Sequence, residues 1–192
     1  TVQEGLRAEE IADILKKNIP SYDESWRLKL IANEGYLFPA TYVIPKAATI
    51  EQVLSIFKTN FDKKISEAGI NSNSVALPDV IKKASLIERE ALFDSDRAIV
   101  SSVLANRLRI GMKLDIDAAV QYAIGKQPNG RWWKKSLTSQ DVKMDSPYNT
   151  YTNPGLPPTP ISNPGIASIK AAADPVETDY LYYVSDSKGY LH

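Results

Sequence analysis

Cysteine is absent from the 192 residues, which excludes disulfides, thiolate metal centres and a cysteine nucleophile. Histidine occurs once, as the last residue, His192, so a Ser-His-Asp triad, a histidine metal site and imidazole acid-base chemistry lack their material. Lys plus Arg and Asp plus Glu each number 23, and without an excess of either sign nothing points to nucleic acid or a bilayer surface. No apolar run reaches the roughly 18 residues of a membrane span, and no Gly-rich phosphate motif occurs. The opening at Thr1, without an initiator methionine, reads as that of an excised piece whose targeting segments lie outside it. Any catalysis falls to carboxylates, lysine, tyrosine or serine, with no metal or other cofactor expected.

Proline, in contrast, is concentrated. Seven of the twelve prolines fall between Pro147 and Pro175, in a stretch that begins SPYNTYTNPGLPPTPISNPG at residue 146 and can be neither a regular helix nor a central strand. Disordered segments are poor in aromatic and apolar residues, yet Tyr148, Tyr151, Leu156 and Ile161 are interleaved here. The stretch therefore reads as an ordered stiff loop. Its tyrosine faces and the amides of Asn149 and Asn153 suit a sugar-binding wall, and a structural wrap over a core fits the same residues.

Elsewhere helical periodicity dominates. Ile11, Ile14 and Leu15 mark a helix ended by Pro20; Ser21 and Glu24 have capping-box spacing before Trp26; Thr49 and Gln52 cap a longer helix closed by Gly69. LPDVIKKASLIEREAL (77–92) and the run from Asp94 or Asp96 to Gly111 give two more, LDIDAAVQYAIG (114–125) an extended entry and a helix, and IASIKAAADP (166–175) another. The aromatic, Pro-bounded EGYLFPATYVIP (34–45) and the β-rich YLYYV (180–184) read as strands, with YLH as the start of a return strand. The expected fold class is α+β: a helix-rich domain with a small β-sheet and a long Pro-rich loop lining a cleft.

Among the carboxylates, Glu88 and Glu90 flank the apolar stripe Ile81, Ala84, Ile87 and Ala91 and point to different helix faces. They cannot share a proton as a dyad. A glutamate at the edge of such a stripe, beside aromatic walls, loses solvation and gains the raised pKa of a general acid; a solvated helix surface accounts for the pair equally. Asp115 and Asp117 in LDID read as contacts or as caps for the helix at Ala118. Trp132 and Trp133 suit sugar stacking, an exposed turn or a core anchor.

Taken in order, EGYLFPATY, ASLIEREA, NRLRIGMKLDIDAAVQYAIG, the Pro-rich loop through AAADP, and YLYYVSDSKG closely resemble the endolytic murein transglycosylases of the MltG, or YceG-like, family. The resemblance implies a bacterial protein held by one N-terminal transmembrane helix, with an extracytoplasmic catalytic domain preceded by a LysM-like domain. On that pattern residues 1–192 form one catalytic domain, with 1–45 an N-terminal lobe or entry segment and 46–192 the core. On the same pattern the anchor, most or all of the LysM-like domain and a short C-terminal continuation are expected to lie outside it. The implied reaction cuts glycan strands between MurNAc and GlcNAc and leaves 1,6-anhydro-MurNAc ends. The family's catalytic acid falls on Glu90, with Glu88 on the other acidic position of its motif.

The resemblance further implies that Tyr148, Asn149 and Tyr151 line the glycan cleft, stiffened by Pro157, Pro158 and Pro160, and that Glu34, Asp117 and Tyr122 contact substrate or support those that do. LDID departs from the family's usual residues before the aspartate, which leaves Asp115 without an assigned role. Implied partners are peptidoglycan strands and the synthases of elongation or division, with no nucleic acid. Two other readings fit the residues: a hydrolytic muramidase in which Asp117 activates water, and a non-catalytic glycan-binding or scaffold module.

Overall fold

A computed structural model describes residues 1–184, 186 and 191. Among the described residues seven α-helices follow one another: α1 Ala8–Asn18, α2 Trp26–Ile31, α3 Ile50–Glu67, α4 Leu77–Glu90, α5 Asp96–Arg109, α6 Asp117–Ile124 and α7 Ile166–Ala173. A 3₁₀ turn spans Asp141–Lys143. None of the helices is long and apolar enough to cross a membrane. Local chemistry sets several ends. At α3, Thr49 and Gln52 exchange side-chain-to-backbone hydrogen bonds, closing the capping box that satisfies donors with no intrahelical partner. The expected box at Ser21 and Glu24 does not form: Ser21 donates to the Ala48 carbonyl and Glu24 pairs with Lys16 and Arg27.

The expected α+β class is corrected: the chain is helix-rich and has no β-sheet among the described residues. One antiparallel bridge, Val2 to Ala40, is all that the 34–45 segment contributes. The reason is where the backbone polar groups go. In 34–45, the N–H groups of Gly35 and Leu37 donate to the Asn163 Oδ1 at 2.9 Å each, and Leu37 and Phe38 bury their side chains. In the C-terminal segment, the carbonyls of Thr178 and Tyr180 accept from Asn106, and that of Leu181 from Arg107 at 2.7 Å. Extended, β-prone chain is thus satisfied by side chains of the Pro-rich loop and of α5 and needs no neighbouring strand. The return strand expected at YLH lies largely outside the described residues.

Two apolar clusters make the core. One gathers α1, α2 and the first half of α3 around Ile11, Leu30 and Phe57; the other surrounds α4 with Ile81, Leu86, Leu104, Leu114 and Ile161. Helix α3 joins them, giving Val53 and Phe57 to the first and Phe61 and Ile65 to the second. Helix α4 is the central element, packed against α5, α6 and α7, and its last turns are buried on most sides. Its C-terminal end, Glu90, is therefore held at a fixed place.

The Pro-rich loop is a wrap with fixed anchor points. Ile161 is wholly buried, and its N–H donates to Ser85 Oγ on α4 at 3.0 Å. Pro160 lies against Gly35, which has φ +89°; a Cβ there would meet the Pro160 ring at 2.5 Å, so the close approach requires glycine. Asn149, expected to face substrate, is fully buried and donates to the carbonyls of Val142 and Met144. It shapes the loop from within.

Candidate active site

Glu90 projects into a cleft of about 230 Å³ lined by Arg107, Leu114, Asp115, Asp117, Tyr151 and Tyr183. A larger hollow of about 700 Å³ lies between the α3–α4 connection and α7, but its charged lining is limited to Lys170 and Asp174. The smaller cleft gathers three carboxylates, an arginine and two tyrosines. Loss of water around the carboxyl of Glu90 pushes its pKa above the usual carboxylate range, and the charge of Asp117 adds to this. The Tyr183 hydroxyl, which donates to Oε2 at 2.9 Å, the Ala118 N–H at the start of α6 and the charge of Arg89 act the other way. Burial is the largest of these effects, so the acid is held weaker than an exposed glutamate.

Each cleft residue is placed by its own element. Ahead of α6, Asp115 turns the chain at φ +51° and Ile116 is extended: Asp115 N–H donates to the Thr150 carbonyl at 3.3 Å and Ile116 N–H to Thr150 Oγ1 at 2.9 Å. This knits the LDID segment to the Pro-rich loop. Asp117 opens α6, and its Oδ1 accepts the Tyr151 hydroxyl at 2.6 Å. Arg107, from α5, spans Asp115 at 3.7 Å and the Leu114 carbonyl at 2.7 Å.

Glu88, two residues before Glu90, faces the other way. Its Oε2 accepts from the Gly165 N–H at 2.9 Å and the Ser168 hydroxyl at 2.8 Å, and Arg97 lies 3.5 Å from Oε1. The carboxylate thus sits at the N-terminus of α7, where the helix dipole favours negative charge. A Cβ at Gly165 would lie 1.9 Å from the carboxylate of the exposed Glu4, whose side chain would have to swing away. The two glutamates occupy different surroundings, one structural and one in the cleft.

The other expected site residues separate. Tyr151 and Asp117 join Glu90 in the cleft. Tyr148 packs against Tyr122, with ring centres 4.9 Å apart, and bonds Thr159 at 2.7 Å. Tyr122 and Glu34 are buried under α1: Tyr122 donates to Glu34 at 3.4 Å, and Glu34 accepts from the Ala8 N–H at 3.0 Å and from Asn163 at 2.7 Å. Trp133 donates its indole N–H to Glu10 and lies beneath the Arg89 guanidinium at 3.8 Å, while Trp132 flanks Arg7 and Lys126. Both tryptophans thus stack on the protein's own cations.

Tyr183 is the cleft tyrosine that sequence reasoning passed over, while Arg107 reads in the sequence as a cation near a helix end. The alternation in YLYYV carried a signal for Tyr183, since period two puts Leu181 and Tyr183 on one side and the exposed Tyr180, Tyr182 and Val184 on the other.

Burial pushes the Glu34 carboxyl up to about 8, with Glu9 adding to the effect and the Ala8 N–H, Arg7 and Tyr122 opposing it. Between pH 4.5 and about 8 the folded chain therefore keeps a proton that the unfolded chain has lost. The stability this contributes is complete at the acidic end of that window and falls as pH rises through it. Glu34→Gln imitates the protonated acid and is expected to flatten the melting temperature across the window, as checked by calorimetry at stepped pH. An equally steep decline in the variant would contradict this.

A sequence model described as the YceG-like family matches residues 1–192. The chain belongs to the YceG-like family. The YceG-like chain is 42% identical over 159 residues to an endolytic murein transglycosylase of Bacillus subtilis (strain 168), covering 81% of this chain and 42% of that protein. It is 34% identical over 174 residues to an endolytic murein transglycosylase of Streptococcus pneumoniae serotype 2 (strain D39 / NCTC 7466), covering 90% of this chain and 31% of that protein. It thus spans well under half of either relative. The 2.6 Å crystal structure of a YceG-like protein from Listeria monocytogenes superposes with a TM-score of 0.84 at 31% identity, over all of this chain and 71% of that one.

Proposed function

We propose that this YceG-like chain is the catalytic part of an endolytic peptidoglycan lytic transglycosylase that uses Glu90 as its single acid and base. The observation that carries the reading is the desolvated Glu90 carboxyl in a cleft walled by tyrosines. The relatives' shared name supplies the substrate class. A carboxyl whose pKa is raised by burial keeps its proton more readily than an exposed glutamate, as a general acid must. Its proton goes to the glycosidic oxygen as the bond from that oxygen to C1 of MurNAc breaks. The resulting carboxylate then takes the proton of the C6 hydroxyl while that oxygen closes on C1. A 1,6-anhydro ring forms, Glu90 is protonated again, and no water is consumed.

Asp117, held by Tyr151, places negative charge beside the sugar cation that develops at C1. The same cleft admits a second reading, hydrolysis with Asp117 activating water. In the cell the domain works outside the cytoplasmic membrane, anchored through a preceding segment and acting beside peptidoglycan synthases.

Incubation with uncrosslinked peptidoglycan strands tests the proposal: internal cuts should shorten strands to intermediate lengths before small fragments accumulate. Strands bound but left at full length would favour a scaffold. Glu88→Gln serves as the internal control. It weakens the ties to Arg97, Gly165 and Ser168 and is expected to cost roughly 1–3 kcal/mol of stability, read in a denaturant melt, while cleavage at a temperature where the variant is folded stays near the parent rate. Loss of cleavage in the folded variant would move the chemistry to Glu88.

A further inference from the structure

We infer that Tyr183 is a positioning residue for the acid: by donating to Oε2 of Glu90 it reserves Oε1 for the proton that is delivered and then recovered. This rests on the assignment of Glu90 as the acid. A neutral carboxyl has one carbonyl-type oxygen and one hydroxyl. With the Tyr183 hydroxyl 2.9 Å from Oε2, Oε2 is the acceptor in the neutral acid, and the transferable proton belongs on Oε1. The same bond persists when Glu90 is a carboxylate, so Oε2 stays engaged by Tyr183 in both forms and the oxygen that gave the proton takes the next.

The tyrosine is held by its backbone. Residues 178–181 are fastened to α5 by Asn106, through the Thr178 and Tyr180 carbonyls at 2.8 and 2.9 Å, and by Arg107, through the Leu181 carbonyl. Ser102 and Thr178 share a further hydrogen bond at 2.5 Å. These contacts account for the buried polar face of α5, where Ser102, Asn106 and Arg107 sit at positions that an ordinary core helix fills with apolar residues. A helix face given over to holding an extended segment, which then delivers one hydroxyl to one carboxylate, is a built arrangement.

The groups that bear on Glu90 are Arg89 from α4, Arg107 from α5, Asp115 from the entry to α6, Asp117 and the Ala118 N–H from α6, Tyr151 from the Pro-rich loop and Tyr183. Of the neutral side chains, Tyr183 is bonded to Glu90, whereas Tyr151 is bonded to Asp117. A hydroxyl donor favours the carboxylate over the acid, so its removal raises the pKa of Glu90.

Tyr183→Phe keeps the ring and removes the bond. At pH values where Glu90 is protonated, kcat is expected to fall about tenfold as the proton loses its fixed oxygen, with KM little changed. The alkaline limb of kcat/KM is expected to move to higher pH. Asn106→Ala releases two of the backbone ties without entering the cleft, and should move the limb the same way by a smaller amount. A lower plateau with an unmoved limb would mean that the tyrosine only fills space, and a limb displaced to lower pH would mean that it does not serve the carboxylate; either overturns the inference. Cleavage that survives Glu90→Gln would overturn the acid assignment itself, which is a separate result.

Discussion

Glu90→Gln is expected to lower strand cleavage by about 10³-fold or more, because the same group serves both half-reactions. The amide has the volume of the acid and can still accept from Tyr183, but it offers no transferable proton. The cleft holds no obvious substitute. Asp117 Oδ1 is taken by the Tyr151 hydroxyl, Asp115 faces Arg107, and Glu88 is turned toward the N-terminus of α7. Stability should move in the opposite direction or not at all, since a desolvated carboxyl is an energetic burden that the amide relieves. Rates of new-end formation, measured beside a thermal melt, separate the two effects. A variant that cleaves at more than a tenth of the parent rate would remove Glu90 from the mechanism.

Asn163→Ala is expected to have the largest effect on stability. Asn163 is fully buried, and its side chain joins three parts of the chain. Oδ1 accepts from the Gly35 and Leu37 N–H groups, and Nδ2 donates to the Leu6 carbonyl and to Glu34. Its own backbone N–H and carbonyl pair with Leu6 and Gly5. Alanine would leave two N–H donors, a carbonyl and the Glu34 carboxyl short of a partner in the interior. Each such loss costs roughly 1–3 kcal/mol and the losses are not additive, so roughly 3–5 kcal/mol overall is expected. For a chain of this size that is about 10 °C in melting temperature. A shift below about 2 °C would mean that the loop is held mainly by Ile161 and Pro160.

These two residues mark how far the sequence could be read. The helices followed from periodicity and from caps such as Thr49 with Gln52, because those signals are local. The divergence of Glu88 and Glu90 also followed, since two residues of helix turn side chains about 200° apart. The segments 34–45 and 180–184 looked like strands because aromatic and β-branched residues favour extended backbone. What they pair with is a long-range matter, and here the partners are Asn163, Asn106 and Arg107. A polar side chain in a loop reads equally as a substrate contact or as internal support, and Asn149 and Glu34 turn inward because buried donors and acceptors require partners. The cleft's inner wall came from a tyrosine 93 residues away from Glu90 in sequence, a distance that no spacing rule spans.

The central claim is that Glu90 closes an intramolecular ring without water, and cleavage in H₂¹⁸O tests it most directly. Mass spectrometry of strand ends formed by the unmodified chain should find the anhydro mass and no ¹⁸O at the new C1. New ends carrying ¹⁸O, two mass units heavier than ordinary reducing ends, would show that water attacks C1 and would contradict the account.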